Sequence, residues 1–435
     1  IGPALPMNRP RLSPVRSGCA RIGAVILLTA LVAAPVRAAM APKSWPPDQF
    51  APLTPERIAA LPAAEQPAWK DYWAAAQALT RQLPEAPRAT EFSPLKPLEG
   101  PPKGGQHTFG LRLDAPAAWY ASEQARTTAD RVVVWQSHAG AWKKGIDYNL
   151  PPPAGKALEA NLWSNGTFDN DATLFELRFL ALASHAGGGV RAAAWREAFM
   201  RGLHYVFIAQ YPNGGWPQIY PLVGGYHDGV TFNDDAMAHA LALLRDVAAG
   251  RGEFAFVPAA QRQEAQRRLD RGIRCVLATQ LHGADGRPSV WCQQYDMLTL
   301  RPSAARNFAP IADCSQESAT LAELLMSLPP PSPEIGAAVD GAMAWFERTA
   351  LHDVKWVREP AKSRGEILPA PGAPLLWSRY YDPGTTTPIF GDRDRTVHYD
   401  VAELSAERRA GYAWYGTWPA RARETYQAWR KKPGG

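Results

Sequence analysis

Tyr211-Pro-Asn-Gly-Gly-Trp-Pro-Gln218 decides how this chain of 435 residues is read. Pro212, Asn213, Gly214 and Gly215 form a turn signal that presents an aromatic plate, Trp216. The turn closes an apolar run, His204-Tyr-Val-Phe-Ile-Ala-Gln210, of the kind that ends a buried helix. Just downstream, Thr231-Phe-Asn-Asp-Asp-Ala-Met237 sets Asp234 and Asp235 ahead of Ala236-Met-Ala-His-Ala-Leu-Ala-Leu-Leu244, a strong helix former. Acidic side chains favour a helix start because the exposed N–H groups and the macrodipole attract negative charge. Taken alone, Asn233 and Asp234 read as helix caps.

Repetition changes that reading. Val132-Val-Val-Trp-Gln136 is followed by Ala139-Gly-Ala-Trp142, and the glutamine-to-tryptophan spacing is the same as from Gln210 to Trp216. A looser third copy runs Cys275-Val-Leu-Ala-Thr-Gln280, then Gly283 and Gly286, then Trp291-Cys-Gln-Gln294. The three glutamines lie 74 and 70 residues apart. Thr167-Phe-Asp-Asn-Asp-Ala172 matches Thr231-Phe-Asn-Asp-Asp-Ala236, and the third counterpart is Ser315-Gln-Glu-Ser-Ala319 ahead of Thr320-Leu-Ala-Glu-Leu-Leu-Met326. A period of this length holds a pair of helices, and stacked pairs bury a continuous core. Three pairs predict an all-α fold curved into a helical toroid, with turns and acidic helix starts converging on one face.

Outward from the repeats, helices are predicted over Trp119–Ser137, Asp171–Ala186, Arg191–Gln210, Asp234–Ala249, Ala259–Gln280, Glu317–Leu328, Pro333–Leu351 and Glu407–Lys431. Strand-like runs such as Pro374–Tyr381 are few and short, which leaves a small β-containing C-terminal part. Residues 115–431 read as the main domain. Residues 39–114 read as an N-terminal helical arm and Pro-rich linker, with Trp69, Tyr72, Trp73 and Leu79 on one face of a helix over Pro67–Leu83. Residues 7–38 have the form of a signal peptide: Arg9, Arg11, Arg16 and Arg21, then apolar Ile22–Ala34, then small residues at Val36-Arg-Ala38. That implies a periplasmic or secreted protein with no stable membrane insertion after cleavage.

The net charge of +6 suits an anionic partner. No Lys/Arg-dense run and no nucleic-acid-binding motif is present, which argues against nucleic acid. An acidic polysaccharide satisfies the same charge, and the 16 tryptophans offer flat apolar faces for sugar rings. Outside the leader, Cys275, Cys292 and Cys314 leave two options open, one disulfide with a free thiol or three buried thiols. The absence of CxxC and HxxxH spacings argues against zinc.

Several segments together resemble the polysaccharide lyase family 10 pectate lyases. They are Ala118-Trp-Tyr120, Trp142-Lys-Lys144, Thr167–Thr173, Gln210–Gln218, Thr231–Met237, Trp291–Asp296, Ala305-Arg-Asn-Phe308 and Ser315–Ser318. Trp377-Ser-Arg-Tyr-Tyr381, Pro388-Ile-Phe-Gly-Asp-Arg393 and Glu407-Arg-Arg-Ala-Gly-Tyr-Ala-Trp414 continue the series in the family's order. The resemblance implies an (α/α)3 toroid of three helix-pair repeats with a small β-containing part, and Ca²⁺-assisted β-elimination of polygalacturonate. Such chemistry needs charge on the uronate carboxylate neutralised while the C5 proton is removed. By family match, Asp234 is the first metal ligand, with Asp235, Asp169 and Asp171 secondary. Asn170, Lys144, Arg379 and Arg393 contact substrate, and Trp216 is the stacking plate, with a buried core tryptophan as the competing reading. Arg306 takes the position of the catalytic base, although an arginine side chain is expected to stay protonated. Either nearby cations lower its pKa, or it stabilises the intermediate while another group takes the proton. Two further classes remain: a glycosidase using Asp171 and Asp235 as acid and base, or a polysaccharide-binding protein without turnover. A monomer is expected.

Overall fold

Each Gly-Trp turn of the repeat sits between two helices in the computed structural model, which describes residues 43–44, 50–83, 110–151, 164–283, 285–329 and 332–431. In chain order the helices are α1 (Pro55–Ala59), α2 (Gln66–Gln82), α3 (Ala117–Tyr120), α4 (Glu123–Val134), α5 (Leu174–His185) and α6 (Arg191–Ala209). They continue with α7 (Ala236–Ala249), α8 (Ala259–Thr279), α9 (Ser315–Met326), α10 (Pro333–Thr349), α11 (Ala406–Gly411) and α12 (Pro419–Trp429). All described residues fall within one compact unit, Ala41–Gly435. The expected leader, residues 7–38, lies outside the described residues. Among those described, no helix is long and apolar enough to cross a membrane.

Composition assigns the helices to positions. Helix α7 is apolar almost all round and buries Met237, Leu241, Leu243, Leu244 and Val247, so it lies between α5 and α9. Each buried leucine contributes roughly 1.5–3 kcal/mol. Helix α8 carries many charges and buries one stripe, including Ala265, Leu269, Gly272 and Val276, against α7. Helix α6 packs on α4 and α5, and α10 on α8 and α9.

The sequence repeat is a repeat of hydrogen bonds. The side-chain amide of Gln136 donates to the carbonyls of Gly140 and Ala198, that of Gln210 to Gly214 and Arg268, and that of Gln280 to Ser289 and Ala338. Each glutamine therefore ties its own turn to the outer helix of the next copy. Gly214, at φ 100°, is required there because an added Cβ would sit 2.2 Å from the Arg271 carbonyl oxygen.

The tryptophans are pins in the same scheme. Indole Nε1 of Trp142, Trp216 and Trp291 donates to Val132, Val206 and Val276 at 2.7, 2.8 and 2.7 Å. Trp377 does the same to Phe346 at 2.9 Å, a fourth copy that the sequence reading did not find because no glutamine marks it. Trp216 is 1 % exposed and its ring faces Gly272 of α8. It is a core residue and not a stacking plate, because the indole N–H and the ring faces are consumed in packing helix on helix.

Several expected helices change. Over Glu407–Lys431 there are two helices with a short strand between them. Tyr415–Gly416 pairs antiparallel with Trp377–Ser378, and Pro419 starts α12 where a missing N–H costs nothing. The helix expected from Asp171 begins only at Leu174, and that expected from Asp234 begins at Ala236.

Small antiparallel pairs gather around a second core. The hairpin Val354–Glu359 with Arg364–Pro369 is one, and Phe390–Gly391 pairs with Thr396–His398. Leu376, Tyr380, Phe390, Val397 and Trp414 fill this core. The N-terminal helices brace the turn after α6. The rings of Trp69 and Tyr72 of α2 pack at a tilt against Tyr211, the Tyr72 hydroxyl donates to the Ala209 carbonyl, and Arg57 of α1 pairs with Asp296 at 2.7 Å. Cys275, Cys292 and Cys314 are buried free thiols.

Candidate active site

The acidic segments do not act as caps. Asn170 and Asp171 hold φ of 53° and 63°, and Asp234 and Asp235 repeat this with 51° and 63°. Asp235, the residue preceding α7, makes no side-chain cap hydrogen bond. Left-handed backbone at residues with a side chain costs about 1–3 kcal/mol each and persists where the surroundings enforce it. Here it turns the carboxylates away from the helix N–H groups, into the space between the repeats.

That space holds a charge cluster. Asp234 Oδ1 lies 3.3 Å from the Arg379 guanidinium, and Oδ2 lies 3.3 Å from Arg306 and 2.7 Å from the Asn233 amide that donates to it. Asp169 is 1 % exposed. Its Oδ2 takes the Lys144 ammonium, while Oδ1 accepts from the Gln218 amide at 2.8 Å and sits 3.9 Å from Arg306. Glu317, buried at the start of α9, pairs with Arg379 and accepts from the Gln293 amide at 2.9 Å.

The tryptophan pins explain the convergence. Lys144, Gln218, Gln293 and Arg379 each stand two residues after a pin, at Trp142, Trp216, Trp291 and Trp377. In extended backbone a step of two returns to the same side. Each copy thus delivers one polar side chain to an acid of the cluster.

Burial alone would lower the Arg306 pKa, but the charges of Asp234, Tyr226 and Asp169 outweigh it and hold the group above its ordinary value. Arg379 is likewise raised, Glu317 overcoming burial. Both guanidiniums are firmly charged in the protein without substrate.

A second group of arginines surrounds Phe308. The guanidiniums of Arg306, Arg393 and Arg408 lie 5.8, 5.3 and 4.2 Å from its ring centre. Arg393 is held by Glu407 in a two-point pair at 2.8 and 2.9 Å, and Arg408 meets the same carboxylate. Burial raises the Glu407 pKa, yet the two arginines pull it down to about 2. Asn170 stays half-exposed beside the cluster.

Two expected metal ligands are engaged elsewhere. Asp171 Oδ1 pairs with His239 Nδ1 at 2.6 Å. Burial, followed by the Glu317 charge, raises Asp235 to about 7, and Thr320 is its hydrogen-bond partner. Among the described residues, no three His, Cys, Asp or Glu side chains converge closely enough to enclose a metal ion. Asn233, Glu317, Gln218 and Gln293 were given no site role from sequence, although the repeat of acidic starts and the two-residue step after each pin would have pointed to them.

The model of the pectic acid lyases matches residues 136–422, which includes every charged residue of both clusters. The chain belongs to the pectic acid lyase family. A family 10 polysaccharide lyase from Cellvibrio cellulosa is 33 % identical, covering 72 % of this chain and 96 % of its own, with a TM-score of 0.63. A mutant of the family 10 lyase from that organism, in complex with trigalacturonic acid, is also 33 % identical and covers 73 % of this chain and 98 % of its own, at TM-score 0.63. No curated protein sequence matches. Membership in this family makes the chain a pectate lyase, a polysaccharide lyase and not a hydrolase, so Asp171 and Asp235 are not needed as a glycosidase pair.

Proposed function

We propose that this pectate lyase is an exported enzyme that cleaves polygalacturonate by Ca²⁺-assisted β-elimination, leaving 4,5-unsaturated oligogalacturonates. The observation that carries the reading is Asp234, a strained, non-capping carboxylate between Arg306 and Arg379. The trigalacturonic acid bound by the Cellvibrio relative supports an oligogalacturonate as the ligand here. Three helix pairs disposed as an (α/α)3 toroid would place the groove across the ends of α5, α7 and α9. The leader-like residues 7–38 support export to the periplasm or beyond.

The residues fit a Ca²⁺ ion shared with substrate. Asp234 supplies hard carboxylate oxygens, and beside it the buried Asn233 Oδ1 has no hydrogen-bond partner. With so few protein ligands, uronate carboxylates and water would complete the coordination. The ion would supply neutralisation of the uronate charge that makes the C5 proton acidic.

The remaining chemistry belongs to this chain. Arg379, fixed by Glu317, and Arg393, fixed by Glu407, present guanidiniums to substrate carboxylates, and Lys144 and Asn170 line the same groove. Arg306 faces C5. Its charged state stabilises the developing carbanion. A charged guanidinium has no lone pair for a proton, so in this role another group takes the C5 proton. For Arg306 to be the base itself it would first have to release its own proton to solvent, which a cation offsetting the charge of Asp234 would favour. The test is near-ultraviolet absorbance of the unsaturated product on polygalacturonate, with and without chelator. Full activity in excess chelator would remove Ca²⁺ from the reading, and depolymerisation without absorbance would remove elimination.

A further inference from the structure

Two buried side-chain relays in the groove have the same construction. In one, His227 Nδ1 meets Gln218 Oε1 at 2.7 Å and Gln218 Nε2 donates to Asp169 Oδ1 at 2.8 Å. In the other, the Tyr380 hydroxyl donates to Gln293 Oε1 at 2.9 Å and Gln293 Nε2 donates to Glu317 Oε1 at 2.9 Å. Each carboxylate in turn faces an arginine, Asp169 towards Arg306 and Glu317 towards Arg379. Both glutamines occupy the position two residues after a tryptophan pin, where the other two copies carry Lys144 and Arg379. All six relay members, His227, Gln218, Asp169, Tyr380, Gln293 and Glu317, are at most 4 % exposed.

The bonding fixes the direction of each relay. An ionised carboxylate only accepts, so each glutamine must turn its amide nitrogen to the acid and its oxygen to the other partner. For Gln293 that partner is a hydroxyl, which donates. For Gln218 the partner must donate as well, so His227 carries its proton on Nδ1. Burial, with Lys144 and Arg306 nearby, lowers the His227 pKa to about 3, which keeps the ring neutral.

We propose that Gln218 and Gln293 are positioning residues for the lyase reaction, each passing a hydrogen bond from a buried donor, His227 or Tyr380, to the carboxylate that orients an arginine of the groove. The inference rests on the lyase reading above. A carboxylate bound at one oxygen only by a long flexible cation can rotate, whereas a planar amide locked from behind holds its plane. The arginine facing that carboxylate is then fixed before substrate arrives, which is where preorganisation acts on rate.

The tautomer can be read without any assay of activity. In wild-type protein labelled with nitrogen-15 histidine, the His227 imidazole should keep its proton on Nδ1 from pH 5 to 10. A proton on Nε2 would overturn the first relay whether or not the enzyme is a lyase. His227→Phe keeps the ring that stacks on Tyr226 but removes the donor. It should lower kcat about 10- to 100-fold, the scale on which outer partners act, with little change in affinity for trigalacturonate. His227→Asn restores a donor and should recover most of the loss. Tyr380→Phe, which deletes one oxygen, should reproduce the kcat loss in the second relay. Unchanged kcat in both His227→Phe and Tyr380→Phe, or equal loss in His227→Phe and His227→Asn that follows melting temperature, would refute the positioning role.

Discussion

Asp234→Asn removes one charge from the centre of the groove and almost nothing else. Asparagine tolerates the left-handed backbone that Asp234 adopts at φ 51°, so the turn before α7 is kept. At 3.3 Å each, the two arginine contacts represent about 5 kcal/mol apiece of raw attraction at an effective dielectric of about 20, most of it offset by desolvation of the ions. Neither arginine is left uncompensated. Arg379 retains Glu317, and Arg306 retains Asp169 at 3.9 Å. The stability change is therefore expected within about 1–2 kcal/mol of zero. The rate change should be far larger, because in the proposed reaction Asp234 is the carboxylate that would hold the substrate-shared Ca²⁺. Losing that stabilisation should cost about two to three orders of magnitude in kcat. Product absorbance on polygalacturonate, titrated with Ca²⁺ and paired with thermal melts, separates the two effects. Turnover within tenfold of wild type at the same Ca²⁺ midpoint would refute the assignment, as would a variant that fails to fold.

Arg306→Lys keeps a cation but loses the planar fork, and kcat should fall by orders of magnitude while trigalacturonate still binds in calorimetry; retained turnover would reduce Arg306 to generic positive charge. Trp216→Phe deletes the indole N–H that donates to Val206, so melting temperature should drop by several degrees with KM little changed; a selective rise in KM would restore the stacking role. Glu176 is fully buried, accepts from the Tyr148 hydroxyl, and is pushed by burial from 4.5 up to about 7. Because the folded state holds this proton more tightly than the unfolded chain, stability falls as pH rises from about 4.5 to 7 and stays lower above that window. Glu176→Gln should flatten that slope and stabilise the protein at pH 8 by about 2–3 kcal/mol in urea melts, and an unchanged slope would show that another group sets it.

The sequence by itself determined the repeat, the helix content and the chemical class of the groove. Helical spacing and a glutamine-to-tryptophan step repeated in register are local properties, and each copy must pack on the next to bury its apolar face. The matching Thr-Phe-Asp-Asn-Asp and Thr-Phe-Asn-Asp-Asp segments, with Arg306, Arg379 and Arg393 in family order, carry the reaction class in the sequence itself. Tertiary structure decided which side chains face one another. Trp216 has the composition of a sugar platform, yet its indole is consumed by Val206 and Gly272, contacts supplied by α6 and α8. Asp234 and Asp235 are adjacent in sequence and nearly identical in chemistry, but left-handed backbone sends the first to Arg306 and Arg379 and the second to Thr320. Gln218 and His227 acquire meaning only because Asp169, 49 residues before Gln218, is folded against them. Periodicity is written along one chain segment and can be read there. Pairing between segments depends on backbone dihedrals and on the packing of helices from different copies, which no single segment encodes.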